Sequence, residues 1–334
     1  MERLAVLGSG AWGTALAILL ARNGRDVCLW GRDRARIDAY RAAGRNLDHL
    51  PDAPFPPGLT LSADLDAALA GREDCLVVVP SGAFRALLER IARHGGVRRI
   101  AWGTKGLEPD SRRPLHEVVA AVLGPVPAAV VSGPSFAAEV ARGLPTAVTV
   151  ASRDARFAHE LADALHNETF RAYTSDDVVG VEIGGAVKNV LAIAAGISDG
   201  LGFGANARAA LITRGLAEIG RLGLALGGQM QTFMGLAGMG DVVLTCTDDQ
   251  SRNRRLGLLL GQGLDLEAAR ARLGALTEGV AAAREALALA REHGVEMPIT
   301  EQVHRVLYEG ADPREAVHRL LTRAIKPEAV APPP

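Results

Sequence analysis

Lysine is nearly absent from this chain. Of its 37 basic side chains only Lys105, Lys188 and Lys326 are lysine, and the other 34 are arginine. Arginine supplies positive charge but stays protonated, whereas the pKa of a lysine falls readily when its amine is desolvated. A lysine here therefore indicates a position where charge alone does not suffice. Lys188, in the apolar, glycine-rich stretch GGAVKNV, is the foremost of these positions.

Cysteine is also scarce. Cys28, Cys75 and Cys246 are odd in number, far apart in the sequence and form no C-x-x-C pair. This pattern argues against a disulfide framework and against a zinc site. We expect a reducing, cytoplasmic setting and no bound metal.

The chain has neither an excess of one charge nor a long hydrophobic run. Its formal net charge is −1, so no basic surface for nucleic acid is expected. The apolar run Thr14–Ala21 is too short to span a bilayer and follows a glycine loop, so we expect no membrane span and no signal peptide. With 334 residues, 48% of them hydrophobic, the chain is long enough for two domains or one large one.

The first half alternates short β-branched runs with helical patterns. Such alternation predicts a doubly wound parallel sheet with helices on both faces. The strands are predicted at Arg3–Leu7, Asp26–Trp30, Cys75–Val79, Arg99–Trp102, Ala128–Val131 and Thr146–Val150, and the first helix at Ala11–Asn23.

After about Asp177 the pattern becomes mostly helical. Only Asp241–Cys246 (DVVLTC) is ambiguous, because its β-branched residues would suit a strand. The sequence therefore predicts an α/β domain over residues 1–176, a helical domain over residues 177–325 and a disordered tail over residues 326–334. The helices are predicted at Val178–Gly196, Ala205–Gly223, Leu266–Leu273, Thr277–His293, Thr300–Glu309 and Pro313–Arg323.

A G-x-G-x-x-G motif lies between the first strand and the first helix. Gly8 permits the tight turn, Gly10 lets the backbone approach a pyrophosphate, and Gly13 lets helix and strand pack closely. The phosphates would then lie on the helix N-terminus, where free N–H groups favour anions. This context predicts a Rossmann-like dinucleotide-binding domain. The alternative is a glycine-rich turn with only a packing role.

The end of the second strand bears on the choice between NAD and NADP. The stretch LWGRD offers Arg32, which could pair with a 2′-phosphate, and Asp33, which could instead bind the ribose hydroxyls. We expect NADP or NAD, with a slight preference for NADP. A solvated surface role for Arg32 is the alternative.

Four further stretches combine glycine, polar and ionisable residues with apolar neighbours in the sequence. WGTKGL puts Lys105 directly after a strand, at the edge of the sheet where α/β proteins bind ligands. SGPSFAAEV brings Gly133 and Ser135 to a similar place, and GMGDVVLTC places Asp241 after two glycines. SRNRR offers a hydroxyl, an arginine and an amide, Ser251–Asn253, at a predicted helix N-terminus suited to a phosphate. Arg254 and Arg255 are interpreted as capping or surface charges.

Lys188 is the best candidate for a proton donor. None of the eight histidines falls in these stretches, which argues against a histidine-based 2-hydroxy-acid dehydrogenase. A carbonyl reduction needs a hydride on carbon and a proton on oxygen, and a desolvated ammonium can supply the proton. Lys105, as a second cation, would polarise the carbonyl and lower the pKa of Lys188. The alternative is a lysine that reaches from its helix to water.

These stretches together resemble the bacterial-type NAD(P)-dependent glycerol-3-phosphate dehydrogenases, over roughly residues 3–325. The segments that carry the resemblance are GSGAWGTALA, WGTKGLE, SGPSFAAEV, GGAVKNVLAIAAGISDGLGFGANARAALITRGLAE, GLAGMGDVVLTCT and SRNRRLG. The resemblance implies interconversion of dihydroxyacetone phosphate and sn-glycerol 3-phosphate with NAD(P)H, which supplies the phospholipid backbone. We also expect a homodimer.

The resemblance also implies roles for individual residues. Lys188 would be the proton donor and acceptor, Lys105 would contact both cofactor and substrate, and Asp241 would line the substrate. The chemistry of a carbonyl reduction independently predicts that Asp241 orients an amine or a hydroxyl. The remaining substrate contacts would be Gly133, Ser135, Ser251, Arg252 and Asn253. The remaining cofactor contacts would be Ala11, Trp12, Arg32, Ala137, Arg252, Leu276 and Glu278.

Two other interpretations remain open at this stage. A β-hydroxy-acid or 6-phosphogluconate-type dehydrogenase also joins a Rossmann domain to helices and uses a helix lysine, although SRNRR and GMGDVVLTC favour a glycerol phosphate. A nucleotide-state sensor that binds NAD(P) without turnover would need neither paired lysines nor an anion site in the second half.

Overall fold

A mixed eight-stranded sheet fills the first half of the chain. The computed structural model describes residues 1–109, 111–274 and 277–324. The strands of the main sheet are β1 (Arg3–Leu7), β2 (Asp26–Trp30), β5 (Leu59–Ser62), β6 (Asp74–Val77), β7 (Arg99–Trp102), β8 (Ala128–Ser132), β9 (Thr146–Ser152) and β10 (Phe170–Ser175). Their order is β10-β9-β8-β7-β6-β1-β2-β5. A separate hairpin pairs β3 (Arg45–Asn46) with β4 (Leu50–Pro54).

Among the described residues, seven helices belong to the sheet half, which gives the predicted doubly wound arrangement. They are α1 (Ala11–Arg22), α2 (Arg34–Ala43), α3 (Leu65–Leu69), α4 (Ser81–His94), α5 (Leu115–Leu123), α6 (Ala137–Arg142) and α7 (Ala155–Leu165). Buried apolar side chains pack on both faces of the sheet in two separate clusters. The fold class predicted for this half is confirmed.

One feature of the sheet differs from the prediction. Six strands, from β8 to β5 in sheet order, run parallel, but β9 pairs with β8 in the antiparallel sense, and β10 runs with β9. The predicted parallel sheet is therefore confirmed for these six strands, and the antiparallel pairing of β9 with β8 departs from it at this edge. Hydrophobic alternation identifies a strand but carries no information on its direction, because both directions bury the same face.

The second half is helical, as predicted. Its helices are α8 (Val178–Gly200), α9 (Gly204–Ala225), α10 (Met230–Met234), α11 (Asp241–Thr247), α12 (Arg252–Gly261), α13 (Leu266–Leu273), α14 (Glu278–Glu292), α15 (Pro298–Tyr308) and α16 (Pro313–Leu321). A π-helical turn, Leu236–Gly240, leads directly into α11. The ambiguous stretch Asp241–Cys246 is thus helical, with Val242 and Cys246 in the core of this half.

Helix α8 forms the centre of the helical half. Its length and mean hydropathy of 1.6 would suffice to cross a membrane, yet 94% of its apolar window is buried inside the protein. Asp177 caps its N-terminus by accepting a hydrogen bond from the backbone N–H of Gly180 at 2.8 Å. A helix buried on all sides fixes the position of any polar group that it carries, since there is no solvent to absorb a displacement.

Glycines bring α12 unusually close to α8. A Cβ atom at Gly196 would lie 2.0 Å from the carbonyl oxygen of Arg254, and one at Gly257 would lie 2.0 Å from that of Ile193. The two backbones therefore touch, and α12 is held at a defined distance from α8. The two helices present the Ser251–Asn253 stretch and Lys188 respectively, so this contact fixes the relation between the two predicted parts of the site.

Candidate active site

Three predicted residues meet in one buried cluster. The ammonium group of Lys188 donates to Oδ1 of Asp241 at 2.5 Å, and that of Lys105 donates to Oδ2 of the same carboxylate at 2.5 Å. Asp241 is almost fully buried, and both lysines are largely buried. Two cations and one anion in a low-dielectric environment leave one net positive charge, which favours an anionic substrate.

Each member of this Lys188–Asp241–Lys105 cluster comes from a different part of the fold. Lys188 lies in the middle of α8, Lys105 lies in the loop that follows β7, and Asp241 is the first residue of α11. The π-helical turn before Asp241 packs against α8, where a Cβ atom at Gly184 would lie 2.5 Å from the carbonyl oxygen of Ala237. The glycine at position 184 therefore lets the turn approach closely enough for Asp241 to reach Lys188.

Burial and charge together set the protonation of Lys188. Burial is the largest influence and disfavours the charged form, the carboxylate of Asp241 opposes it, and the neighbouring ammonium of Lys105 lowers the pKa again. The result is a pKa of Lys188 lowered to about 8. This value lies close to neutral, where a group can both donate and accept a proton.

Asp241 remains ionised in this environment. Burial alone would raise the pKa of its carboxyl group, but the ammonium groups of Lys105 and Lys188 outweigh that effect and lower the pKa below its ordinary value. Asp241 thus keeps the negative charge that allows two ammonium groups to lie side by side.

Thr245 was not among the predicted site residues. Its hydroxyl lies 2.9 Å from the ammonium of Lys188 and donates to the carbonyl oxygen of Asp241 at 2.6 Å. The signal was present in the sequence, since Asp241 and Thr245 are four residues apart and share one face of a helix. The ambiguity of DVVLTC between strand and helix concealed it, because in a strand the two residues would not be neighbours.

The predicted phosphate site lies at the N-terminus of α12. Ser251 is the N-cap residue, and its hydroxyl oxygen accepts from the backbone N–H of Arg254 at 3.2 Å. The side-chain oxygen of Asn253 accepts from the backbone N–H of Gly279 at 3.0 Å. These bonds fix both side chains. Among the described residues the Ser251 hydroxyl hydrogen and the Asn253 amide hydrogens have no acceptor, so they are available to an anion. Arg252 is exposed at the first helical position.

Arg254 is not the capping or surface charge that the sequence predicted. Its side chain is buried, and its guanidinium pairs with Asp199 at 2.5 Å and also with Asp249. It further donates to the carbonyl oxygen of Cys246 at 3.1 Å. Arg255, in contrast, is exposed as predicted. Arg254 therefore joins the end of α8 to the loop that precedes the predicted phosphate site.

Gly133 and Ser135 follow β8, and they lie at the same edge of the sheet as Lys105, which follows the parallel neighbour β7. The ammonium of Lys105 is 3.5 Å from the carbonyl oxygen of Gly133, which also accepts from the Ser135 hydroxyl at 3.0 Å. Gly133 has a φ of +149°, a conformation that side chains rarely adopt, and a Cβ atom there would lie 3.0 Å from the Cα of Val148. Both residues therefore lie near the Lys188–Asp241–Lys105 cluster.

The three glycines of the loop after β1 have the properties that a dinucleotide requires. A Cβ atom at Gly8 would lie 2.1 Å from the carbonyl oxygen of Val78, and one at Gly13 would lie 2.0 Å from that of Gly8. At Gly10 it would meet nothing within 4 Å, so the space beside the N-terminus of α1 is open. The close contacts at Gly8 and Gly13 and the open space beside Gly10 fit a pyrophosphate on the helix N-terminus.

The acidic residue after β2 serves the fold. Asp33 caps α2 by accepting from the backbone N–H of Arg36 at 3.2 Å, and its carboxylate also lies 3.5 Å from the Arg36 guanidinium. Arg32, next to it, is exposed. Of the two candidates at this position, Arg32 is thus the one without a capping role.

The remaining predicted cofactor contacts have the following places. Ala11 and Ala137 are the first residues of α1 and α6, and Glu278 is the exposed first residue of α14. Trp12 is partly buried, and its indole N–H is buried without a hydrogen-bond partner among the described residues. Leu276 lies outside the described residues, as does the predicted disordered tail.

Comparison with known proteins agrees with this geometry. The family model for the N-terminus of NAD-dependent glycerol-3-phosphate dehydrogenase matches residues 3–158, and the model for its C-terminus matches residues 177–318. The glycerol-3-phosphate dehydrogenase (NAD(P)+) of Thioalkalivibrio sulfidiphilus is 61% identical over 97% of this chain and 98% of its own length. That of Nitrosococcus oceani is 58% identical over 98% and 95%, respectively. The crystal structure of glycerol-3-phosphate dehydrogenase from Coxiella burnetii superposes with a TM-score of 0.93 at 53% identity, covering 96% of this chain and 99% of that one.

Proposed function

The chain belongs to the NAD-dependent glycerol-3-phosphate dehydrogenase family, and we propose that the Lys188–Asp241–Lys105 cluster is its catalytic centre. The protein reduces dihydroxyacetone phosphate to sn-glycerol 3-phosphate with NAD(P)H and catalyses the reverse oxidation. The product is the backbone of glycerophospholipids. The observation that carries the assignment of the centre is the single buried carboxylate shared by two ammonium groups.

Lys188 supplies the proton in the reduction. As the carbonyl carbon gains a hydride, its oxygen becomes an alkoxide, and Lys188 donates one proton to that oxygen. Lys105 stabilises the developing negative charge, because its ammonium is held in place by Asp241 before the reaction begins. In the oxidation, neutral Lys188 takes the proton back from the hydroxyl. Thr245 and Asp241 hold the Lys188 amine in one orientation in both directions.

The nicotinamide cofactor, when bound, supplies the hydride. The residues that would hold it are the loop glycines Gly8, Gly10 and Gly13 together with Ala11, Trp12 and Ala137. Arg252 and Glu278 would contact it from the helical half. We infer a slight preference for NADP, because Arg32 is exposed after β2 while Asp33 is engaged as a helix cap.

The substrate phosphate binds at the N-terminus of α12 in this proposal. Ser251 and Asn253 offer hydrogen atoms there, Arg252 offers a guanidinium, and the first backbone N–H groups of the helix add partial positive charge. Gly133 and Ser135 complete the wall of the substrate site beside Lys105. The close contact of α8 with α12 then fixes the distance between the phosphate site and Lys188.

Three broader assignments are part of the proposal. Residues 1–176 form the cofactor unit, residues 177–325 form the substrate unit, and the enzyme acts in the cytoplasm on a small phosphorylated substrate. A homodimer is also proposed; the large apolar side chains exposed in the helical half include Phe203, Leu224, Met230, Met234 and Val243. Light scattering during gel filtration tests the dimer directly.

Steady-state assays test the function. Dihydroxyacetone phosphate is supplied with NADPH and then with NADH, beside ketopantoate and succinic semialdehyde as competing substrates. We expect oxidation of the cofactor with the phosphorylated ketone alone. The variant Lys188→Arg keeps the charge but cannot relay a proton, so we expect its kcat to fall by at least about 100-fold with cofactor binding unchanged. Near-normal kcat in this variant contradicts the role of Lys188.

A further inference from the structure

The β3–β4 hairpin is joined to the dinucleotide loop through one fully buried side chain, Asn46. We propose that Asn46 is a positioning residue for cofactor binding: its amide holds the Ser9–Gly10 peptide so that the Gly10 N–H points at the pyrophosphate of NAD(P)H. This inference rests on the proposed function, since it assumes that the loop binds the cofactor. Asn46 makes no contact with the cofactor itself in this proposal.

All of the hydrogen-bonding capacity of Asn46 is used. Its side-chain N–H groups donate to the carbonyl oxygen of Ser9 at 3.0 Å and to the hydroxyl oxygen of Thr14 at 2.8 Å. Its side-chain oxygen accepts from the backbone N–H groups of Asp48 at 3.2 Å and of His49 at 3.1 Å. One half of the amide therefore shapes the hairpin, and the other half binds the loop and the first turn of α1.

Peptide geometry turns the bond to Ser9 into a constraint on Gly10. The C=O of Ser9 and the N–H of Gly10 belong to one planar trans peptide, so they point in opposite directions. Because Asn46 binds the carbonyl, the N–H of Gly10 is directed away from the hairpin. The same bond turns a negative carbonyl dipole away from the side where an anion would bind.

Contacts on two more sides restrict this peptide. A Cβ atom at Gly31 would lie 2.3 Å from the Ser9 hydroxyl, so Ser9 is packed against the end of β2. The carbonyl oxygen of Gly10 accepts the first helical bond from the backbone N–H of Thr14 at 2.9 Å. Asn46 holds the Thr14 side chain as well, and it therefore bridges the start and the end of the turn that would surround the pyrophosphate.

An apolar residue would not replace Asn46. A leucine of similar volume would fill the space, but the Ser9 carbonyl and two backbone N–H groups of the hairpin would lose their partners. Gly10 itself adds no stiffness, because glycine has the widest choice of backbone conformations. The loop therefore needs an external group to select one orientation of the Ser9–Gly10 peptide.

Two variants of Asn46 and one control test the proposal. Asn46→Ala removes the whole amide without adding charge. Asn46→Asp keeps the oxygen that accepts from Asp48 and His49, but replaces the donor to Ser9 by an acceptor. The matched control is Asn23→Ala at the other end of α1, where the side chain donates to the carbonyl oxygens of Ala164 and His166. It also removes a side-chain amide that binds backbone carbonyls.

The measurements are the Kd of NADPH by titration calorimetry and, at saturating NADPH, the KM for dihydroxyacetone phosphate and kcat. We expect both Asn46 variants to raise the Kd of NADPH by about tenfold or more, with the KM for dihydroxyacetone phosphate and kcat within about threefold of the wild type. Asn23→Ala should also lower the Tm but leave the Kd of NADPH unchanged.

Each other outcome overturns the proposal. A normal Kd in Asn46→Asp means that the amide serves only the hairpin, and a normal Kd in Asn46→Ala means that added charge alone causes the defect. An equal rise in Kd for Asn23→Ala means that general loss of stability is the cause. The wild-type protein separates these results from a failure of the proposed function, in which the wild type itself would neither bind NADPH nor turn over.

Discussion

Lys105 and Lys188 bind opposite oxygens of one carboxylate, each at 2.5 Å from Asp241. The two ammonium groups would repel each other strongly if the carboxylate were absent, because both lie in a largely buried environment. The shared carboxylate thus keeps the two ammonium groups side by side. The ammonium of Lys105 can stabilise an oxyanion, and that of Lys188 can donate a proton because its pKa is lowered to about 8.

The pH dependence of the two reaction directions should be opposite. Since burial, with the ammonium of Lys105, lowers the pKa of Lys188 to about 8, Lys188 is protonated below that pH and neutral above it. We expect kcat/KM for reduction to fall as the pH rises through about 8, and kcat/KM for oxidation to rise over the same range. In Lys105→Met the inflection should move to higher pH, because one positive neighbour is lost. Lys105→Arg keeps the charge and serves as the control, and an inflection that moves to lower pH in Lys105→Met contradicts the prediction.

Replacing Asp241 by asparagine should impair both catalysis and stability. The amide keeps the shape of the carboxylate but leaves two buried ammonium groups without a counter-charge, at a cost of about 3–5 kcal/mol. We expect a lower Tm and a kcat reduced by at least about 100-fold. Thr245→Val, which removes one acceptor from the Lys188 ammonium, should reduce kcat by only about tenfold. Thermal unfolding measures the loss of stability, and steady-state kinetics measure the loss of kcat. Equal losses of kcat in the two variants contradict the prediction that Asp241 contributes more than Thr245.

Arg254 should matter far more than its neighbour Arg255. Arg254→Met leaves the buried carboxylate of Asp199 without one of its two guanidinium partners and frees the loop at Asp249, so we expect a loss of about 3–5 kcal/mol in the free energy of unfolding. The KM for dihydroxyacetone phosphate should also rise, because this loop leads to Ser251. Arg255→Met removes an exposed charge and should change stability by less than about 0.5 kcal/mol. Urea unfolding of both variants decides the matter, and similar midpoints would show that the buried pair contributes nothing.

Arg32 should affect NADPH and NADH unequally. Arg32→Ala removes an exposed guanidinium after β2, so we expect the KM for NADPH to rise by about tenfold and the KM for NADH to change by less than about twofold. Asp33→Asn keeps an oxygen that can cap α2, and it should leave both KM values near those of the wild type. If Asp33→Asn raises the KM for NADH instead, the carboxylate binds the ribose and the preference is for NAD.

Much of the architecture could be read from local patterns. Six strands of the first half and six helices of the second were predicted within a few residues, because alternation and helical periodicity record which face of each element is buried. The short helix α10 was not predicted, and the stretch that forms α11 was left ambiguous. The hairpin β3–β4 and the strands β5 and β10 were missed. The first is too short and polar to show alternation, and the other two have partly exposed residues, so their pattern is weak.

The sequence alone determined which residues could carry the chemistry. The scarcity of lysine singled out Lys105 and Lys188, and the spacing of the glycines predicted the loop whose close contacts and open side fit a dinucleotide. These signals are local, since a turn, a helix N-terminus or an amine can be recognised from a few neighbouring residues. Tertiary structure alone decided that Lys105 and Lys188 share the carboxylate of Asp241, that Arg254 is buried and that Asn46 binds the dinucleotide loop. Each of these contacts joins segments that are distant in the chain, and only the packing of α8 against its neighbours and of the hairpin against α1 brings them within hydrogen-bonding distance.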